Sequence, residues 1–424
     1  MENVYQMAGY TLHLIPTKKF KTMTISLRLQ SPLLKETTTI RTLLTFVLMA
    51  ATQDYPSTQS LATYLDENYG ASLSTHITTK GQSHIINVVT SFVNDTYLPS
   101  PEHLLEKQLQ LISDLFYHPY LDNDGFHPSI VQLKKKELQE KLQANKDDKF
   151  SYSLDKLFEY MGRGQVLGIP STGYEEEIQN ITSQQLYQYL QKCIKEDEKH
   201  VYVVGDLPDD IVNVFERILK FPSHCHDYPS AYIFESPRQD LLEVIEKQDI
   251  TQSKLNLGYQ IQCDFTSPSH YAFTVFNAIF GGFSQSRLFK VVREKHSLCY
   301  YVSSSYDAFN GMMIVNAGIE ANDYRKTLHL IGEQLADIQA GHLDNDELYL
   351  AKIMLVNALK KTNDEAGSMI ALAYNRDITH IRETSEEYIE KLMNVTLEEI
   401  VDVAKKVKLD TIYFLTGKEF HESH

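Results

Sequence analysis

Asn180 to Asp206 reads NITSQQLYQYLQKCIKEDEKHVYVVGD, and Asn394 to Lys418 repeats its outline as NVTLEEIVDVAKKVKLDTIYFLTGK. Each stretch opens on a capping box, Thr182 with Gln185 and Thr396 with Glu399, whose side chains accept from backbone N–H groups left free at a helix start. Each then runs through an amphipathic helix into a short β-rich strand closed by Gly205 or Gly417. Two weaker echoes keep the same order at nearly the same offset. NVVTSFVND (Asn87 to Asp95) matches MIVNAGIEAND (Met313 to Asp323), and LDND stands at Leu121 and again at Leu343. A four-residue match alone carries nothing, but three in one order predict a duplication.

The duplication predicts an α+β protein of two homologous modules, each a mostly antiparallel or mixed sheet with helices on one face. A chain of 424 residues has room for two such cores. The boundary is expected in FPSHCHDYPSAYIFESPRQD, Phe221 to Asp240, where three prolines interrupt any regular pattern. That gives modules over 1–222 and 241–424 with a linker over 223–240.

A formal net charge of −16 argues against a general affinity for nucleic acid, which needs a basic surface. Four cysteines (Cys193, Cys225, Cys263, Cys299) form no C-x-x-C pair, so neither a disulfide framework nor a thiolate zinc site is expected. The opening MENVYQMAGYTLHLIP lacks a basic head and an apolar core, and the longest apolar run, TLLTFVLMAA, is about half a membrane span. The expectation is a cytoplasmic protein with no membrane and no nucleic-acid partner.

A zinc site on one helix needs two imidazoles one turn apart. None of the sixteen histidines supplies such a pair, and none lies between His13 and His76. The nearest approach to a ligand cluster, His224, Cys225 and His226, falls in the proline-rich linker, and the closing HESH reads as a tail. There is no G-x-S-x-G elbow, FGGFSQSR lacks the G-K-[ST] of a phosphate loop, and GRGQVLG is a dinucleotide fingerprint only in being glycine-rich. No metal site is expected in this chain. An independent enzyme would need an unrecognised site such as His224 with His226.

One stretch remains, FGGFSQSRLFKVVREKHSLCYYV from Phe280 to Val302. Its GG-x-x-x-S-R-L-F-x-x-V-R-E-K-x-x-L-x-Y resembles the C-terminal-domain signature of the pitrilysin/insulinase family of zinc metallopeptidases, the inverzincins. SKLNLGYQ (Ser253 to Gln260) resembles the first strand of the family's second module, and VYVVGDL (Val201 to Leu207) the strand closing the first. YPSTQSLATYLDENYGASLS (Tyr55 to Ser74) is similar to the helix and Gly-Ala turn after the family's zinc helix.

The zinc helix itself departs. Where the family carries H-x-x-E-H this chain reads LLTFVLMAA, with Thr45, Leu48 and Met49 at the positions of the ligands and base. Lys141, or its neighbour Glu140, falls where the third ligand would be. The resemblance therefore implies a chain that binds no zinc and does not hydrolyse peptides alone.

What it keeps are Arg293 and Tyr300, which in active members reach the zinc site: a phenol O–H donates to the oxygen on which charge develops, and a guanidinium holds a neighbouring carbonyl. Gly281 and Gly282 would give the backbone close approach to a peptide or make a tight turn. Leu73, Ser74 and Thr75 would lie on the edge strand that takes the peptide by β-augmentation. Read without the signature, Arg293 is a salt-bridging arginine and Tyr300 a filler of the sheet face.

The combination resembles the non-catalytic subunit of the family's heterodimers, whose partner, an H-x-x-E-H-bearing paralogue, would hold the zinc. The substrate implied is a peptide or unfolded protein. Similar proteins are associated with aminopentanol modification of elongation factor P. The alternative is an inert peptide-binding or structural scaffold.

Overall fold

In a computed structural model, residues 2–223, 228 and 232–420 are described. His224, Cys225, His226, His421 and His424, and part of the 223–240 linker, lie outside them. The strands are β1 (Asn3–Met7), β2 (Tyr10–Pro16), β3 (Thr22–Pro32), β4 (Ser72–Lys80), β5 (Ser83–Val93), β6 (Leu121–Asp122), β7 (Gly125–Phe126), β8 (Glu198–Gly205), β9 (Leu242–Gln248), β10 (Ser253–Gln260), β11 (Cys299–Asp307), β12 (Met312–Ile319) and β13 (Lys408–Gly417).

They form a six-stranded sheet in the order β1-β2-β8-β3-β5-β4, a five-stranded sheet in the order β11-β12-β10-β13-β9, and the small β6-β7 hairpin. Apart from β1 the two large sheets have one order: β2, β8, β3, β5, β4 stand as β9, β13, β10, β12, β11. Each has a single parallel pair, β2 with β8 and β9 with β13, and is otherwise antiparallel.

The repeated stretches fall at equivalent places. Thr182 and Gln185 make the reciprocal capping box of helix Ser183–Glu196, which leads into β8. Thr396 and Glu399 do the same for helix Leu397–Ala404, which leads into β13. The first helix buries Leu186, Leu190, Cys193 and Ile194, one stripe at helical spacing. β8 and β13 are buried nearly throughout because each is an inner strand covered on both faces.

The compact units do not follow the sequence halves. One comprises Met1–Ala144, Pro170–Pro229 and Asn363–Asn375; the other comprises Asn145–Ile169, Ser230–Thr362 and Arg376–His424. In the second unit, helix Lys149–Met161, from the first half of the sequence, lays Leu157 and Met161 against Met312, Ile314, Tyr413 and Leu415 on the sheet face opposite the main helical core. Gly258 of β10 admits it: a Cβ there would lie 2.4 Å from the Met161 sulfur. In the first unit the segment 363–375 brings in Tyr374, fully buried, whose hydroxyl donates to Gln30 of β3 at 2.7 Å.

Among the described residues no helix is long and apolar enough to cross a membrane.

Candidate functional site

In the first unit, helix Lys35–Leu48, capped by Met49, carries the positions that the resemblance sets against the family's ligands and base. It is anchored by Arg41, fully buried, which pairs with Asp197 at 2.7 Å and donates to the Leu29 carbonyl at 2.7 Å. Thr45 is buried with its hydroxyl on the Thr42 carbonyl, and Leu48 is buried in the core.

Met49 at the helix end is the only member of the trio with a metal-binding atom, and that sulfur accepts from the Thr75 amide at 3.0 Å. Thr75 also gives its hydroxyl to the Thr45 carbonyl at 2.5 Å. Lys141 places its ammonium 5.4 Å from the Phe46 ring of the same helix. Neighbouring His76 is held below its usual pKa by burial first and then by the charges of Arg28 and Lys141. At Thr45, Leu48 and Met49 a zinc ion would find no imidazole or carboxylate, and the Lys141 cation lies beside the same helix, so these residues do not fit the family's metal.

β4 is the edge strand of this sheet. Leu73 is buried, Ser74 exposed, and Thr75 is tied to the helix as described. The geometry places the three sequence-predicted residues on an edge with the Thr75 amide turned away from β5 and already accepted.

In the second unit, β11 is the edge strand in the equivalent place. Its pairing with β12 steps from Cys299↔Ile319 to Tyr301↔Gly318, so Tyr300 is the extra residue of a β-bulge. The bulge turns Tyr300 outward, 61% exposed, while the Tyr301 ring lies over Gly318, where a Cβ would come within 2.4 Å of it. The Tyr300 hydroxyl donates to Glu320 at 2.9 Å, and that bond, with the carboxylate's charge, raises the phenol above its usual pKa. Nothing in the sequence marked Glu320; it reaches Tyr300 because β12 ends beside the bulge.

Arg293 lies on the π-helical segment Phe289–Lys295, exposed, with its guanidinium 4.7 Å from the Phe289 ring. Among the described residues no carboxylate pairs with it. The segment ends when Ser297, at φ 52°, donates its amide to the Arg293 carbonyl, and the chain turns into β11. Burial pushes the Cys299 thiol up to about 11 while the Arg293 charge pulls it back, so the guanidinium is felt at the residue next to Tyr300. Among the described residues Arg293 has no salt-bridge partner, and Tyr300 stands exposed beside the sheet.

Gly281 is buried at the end of the Ala278–Gly282 segment, where a Cβ would lie 2.7 Å from the Ser304 hydroxyl and 2.8 Å from its amide nitrogen. At Gly282 it would lie 3.0 Å from the Asn277 side chain. Gly281 lets this helix end sit on β11, and Ser304 completes the contact by donating to Asn277 at 2.7 Å.

Fold and site together describe a duplicated α+β scaffold whose first-unit helix lacks metal-ligand residue types at Thr45, Leu48 and Met49. Residues 180–355 match the family described as the peptidase M16 inactive domain. The chain is 34% identical over 419 residues, 97% of its own length and 96% of the relative's, to the probable inactive metalloprotease YmfF of Bacillus subtilis (strain 168). It is 24% identical over 302 residues, 70% of its length and 72% of the relative's, to the uncharacterized zinc protease YmxG of the same organism. A crystal structure of a conserved protein from Enterococcus faecalis V583 superposes with a TM-score of 0.91 at 32% identity, covering 99% of this chain and 100% of that one. The chain belongs to the pitrilysin/insulinase family of zinc metallopeptidases.

Proposed function

We propose that this chain is the non-catalytic subunit of a two-chain zinc peptidase, supplying Arg293 and Tyr300 to a site whose zinc and general base sit on an H-x-x-E-H-bearing paralogue. The observation that carries the reading is Tyr300 itself: an exposed phenol at the extra position of a β-bulge, hydrogen-bonded to Glu320, in a chain with no imidazole or carboxylate at Thr45, Leu48 and Met49. A surface tyrosine with no task gains nothing from a bulge, which gives up ladder pairing.

The zinc of the partner supplies the activated water. Tyr300 then donates to the carbonyl oxygen as negative charge develops on it, and Arg293, unpaired, holds an adjacent carbonyl of the peptide. Leu73, Ser74 and Thr75 offer a strand edge for an extended peptide or unfolded segment. A cytoplasmic location rests on the sequence expectation, and a place in elongation factor P modification on the resemblance alone.

One observation favours a scaffold instead. The Thr75 amide, which an added strand would need, is taken by Met49. The experiment is hydrolysis of a quenched peptide library by this chain, by the paralogue, and by the two mixed. The expected outcome is cleavage by the mixture only, lost with Tyr300→Phe. A paralogue equally active alone would rule out the shared site and leave the scaffold.

A further inference from the structure

Arg28 of β3 is a half-buried cation to which the first unit supplies no counterion. Met23, Ile25, Leu27 and Leu29 of β3 point into the helical core, so Ser26 and Arg28 stand on the opposite face of the sheet. There the Arg28 guanidinium lies 4.2 Å from the ring centroid of Tyr374 and 5.5 Å from that of Tyr202. Its Nε is buried without a hydrogen-bond partner, and among the described residues no carboxylate pairs with it. Ser26, 2% exposed, has a hydroxyl equally without an acceptor. Arg41 of the same unit shows the ordinary arrangement of a buried arginine, with Asp197 at 2.7 Å.

The neighbours on this face are engaged elsewhere. Register sets Arg28 between Asn87 of β5 and His200 of β8. Asn87 gives its amide to the Thr78 hydroxyl at 2.9 Å and to the His76 carbonyl at 3.3 Å. His200 meets Glu198 at 3.0 Å and His13 at 3.1 Å, and His13 meets Glu2 at 2.8 Å. Asp377 lies within 4.8 Å of the same two histidines. The carboxylates near this face therefore gather at the histidines. Burial, the first cause, holds the Arg28 pKa below the arginine norm, and it is the phenols of Tyr374 and Tyr202 that pull it back. The positive field extends along the row: Arg28 and Lys141 both press down the pKa of His76, which stands opposite Asn87 on β4.

Contact with a ring face leaves the five N–H donors of a guanidinium in its own plane, arranged as a fork. A fork steadied by aromatic rings fits the two oxygens of a carboxylate, and partial burial strengthens the bond. We infer that Arg28 is a binding site for a peptide carboxylate, a C-terminus or an acidic side chain, on the sheet face opposite the helical core. The site needs no partner chain, so it stands whether the bound peptide is cut at a shared centre or only held.

The chain has no tryptophan, so a peptide carrying one reports its own binding by fluorescence anisotropy. Three forms of acetyl-Ala-Trp-Leu-Ala are titrated with the full chain: the C-terminal amide, the free acid, and the amide with glutamate in place of leucine. At least one carboxylate form should bind about 10- to 100-fold tighter than the neutral amide. The free acid leads if the site takes a C-terminus, the glutamate peptide if it takes a side chain. Arg28→Gln should abolish the preference while leaving affinity for the neutral amide unchanged. Should that variant fail to fold, Arg28→Lys, which keeps the charge but not the fork, should cut the preference about 10-fold. No binding, equal binding of all three peptides, or the preference intact in the folded variant would overturn the site. None of these results bears on the cleavage test of the two-chain reading, which turns on Tyr300 and the mixture.

Discussion

β4 and β11 hold the same place in the shared strand order, each at the free edge of its sheet, and their backbones are managed in opposite ways. Thr75 of β4 is drawn in, its amide on the Met49 sulfur and its hydroxyl on the Thr45 carbonyl. Tyr300, the extra residue of the bulge in β11, is turned outward and donates to Glu320. An unpaired edge is a template for another strand, so proteins either blunt it or use it. In this chain the β4 edge is partly closed by Met49 and Thr45 of the adjoining helix, while the β11 edge presents its phenol to solvent.

The comparison can be broken most severely at the anchor of helix Lys35–Leu48. Asp197→Ala leaves Arg41 buried without its countercharge and should cost about 3–5 kcal/mol of stability by denaturant unfolding. A loss below about 1 kcal/mol would mean the pair does not hold the helix that grips β4.

On the other edge, Tyr300→Phe should lower kcat of the mixed enzyme by about 10²–10³ with KM little changed, the cost of a lost oxyanion donor. A comparable loss confined to KM would make Tyr300 a binding residue instead. The pH profile sharpens this. Glu320 raises the Tyr300 pKa, so the donating neutral phenol persists to higher pH; Glu320→Gln should bring the alkaline limb of kcat to lower pH, and an unmoved limb would separate the two residues.

Equivalence of the modules predicts matched, smaller effects at the two capping boxes. Thr182→Ala and Thr396→Ala should each destabilise by about 1 kcal/mol in unfolding experiments. A large asymmetry would show that one repeat is held mainly by its tertiary contacts. The smallest effect is expected at Met49→Leu, which keeps the volume but removes the sulfur acceptor. Stability should fall by less than about 1.5 kcal/mol, while hydrogen exchange at the Thr75 amide accelerates. Unchanged exchange would show that the edge is not closed by that bond.

The sequence by itself determined the duplication, because capping boxes and strand-ending glycines are local devices whose residue types are dictated by nearby backbone groups. Thr182 with Gln185 and Thr396 with Glu399 needed no distant contact to be read. The family signature and the absence of zinc ligands were legible for the same reason, since a metal helix requires its ligands one turn apart.

Tertiary structure alone decided which helix covers which sheet. Lys149–Met161 serves the second sheet although it lies in the first half of the sequence, because an apolar face is satisfied by any complementary surface and its periodicity does not name the partner. Only the fold, likewise, aligned Glu320 with Tyr300 and His13 with His200. The search for imidazoles at helical spacing could not find the latter pair, whose nitrogens meet through strand register across 187 residues. Register is a property of pairing between strands, and no single segment carries it.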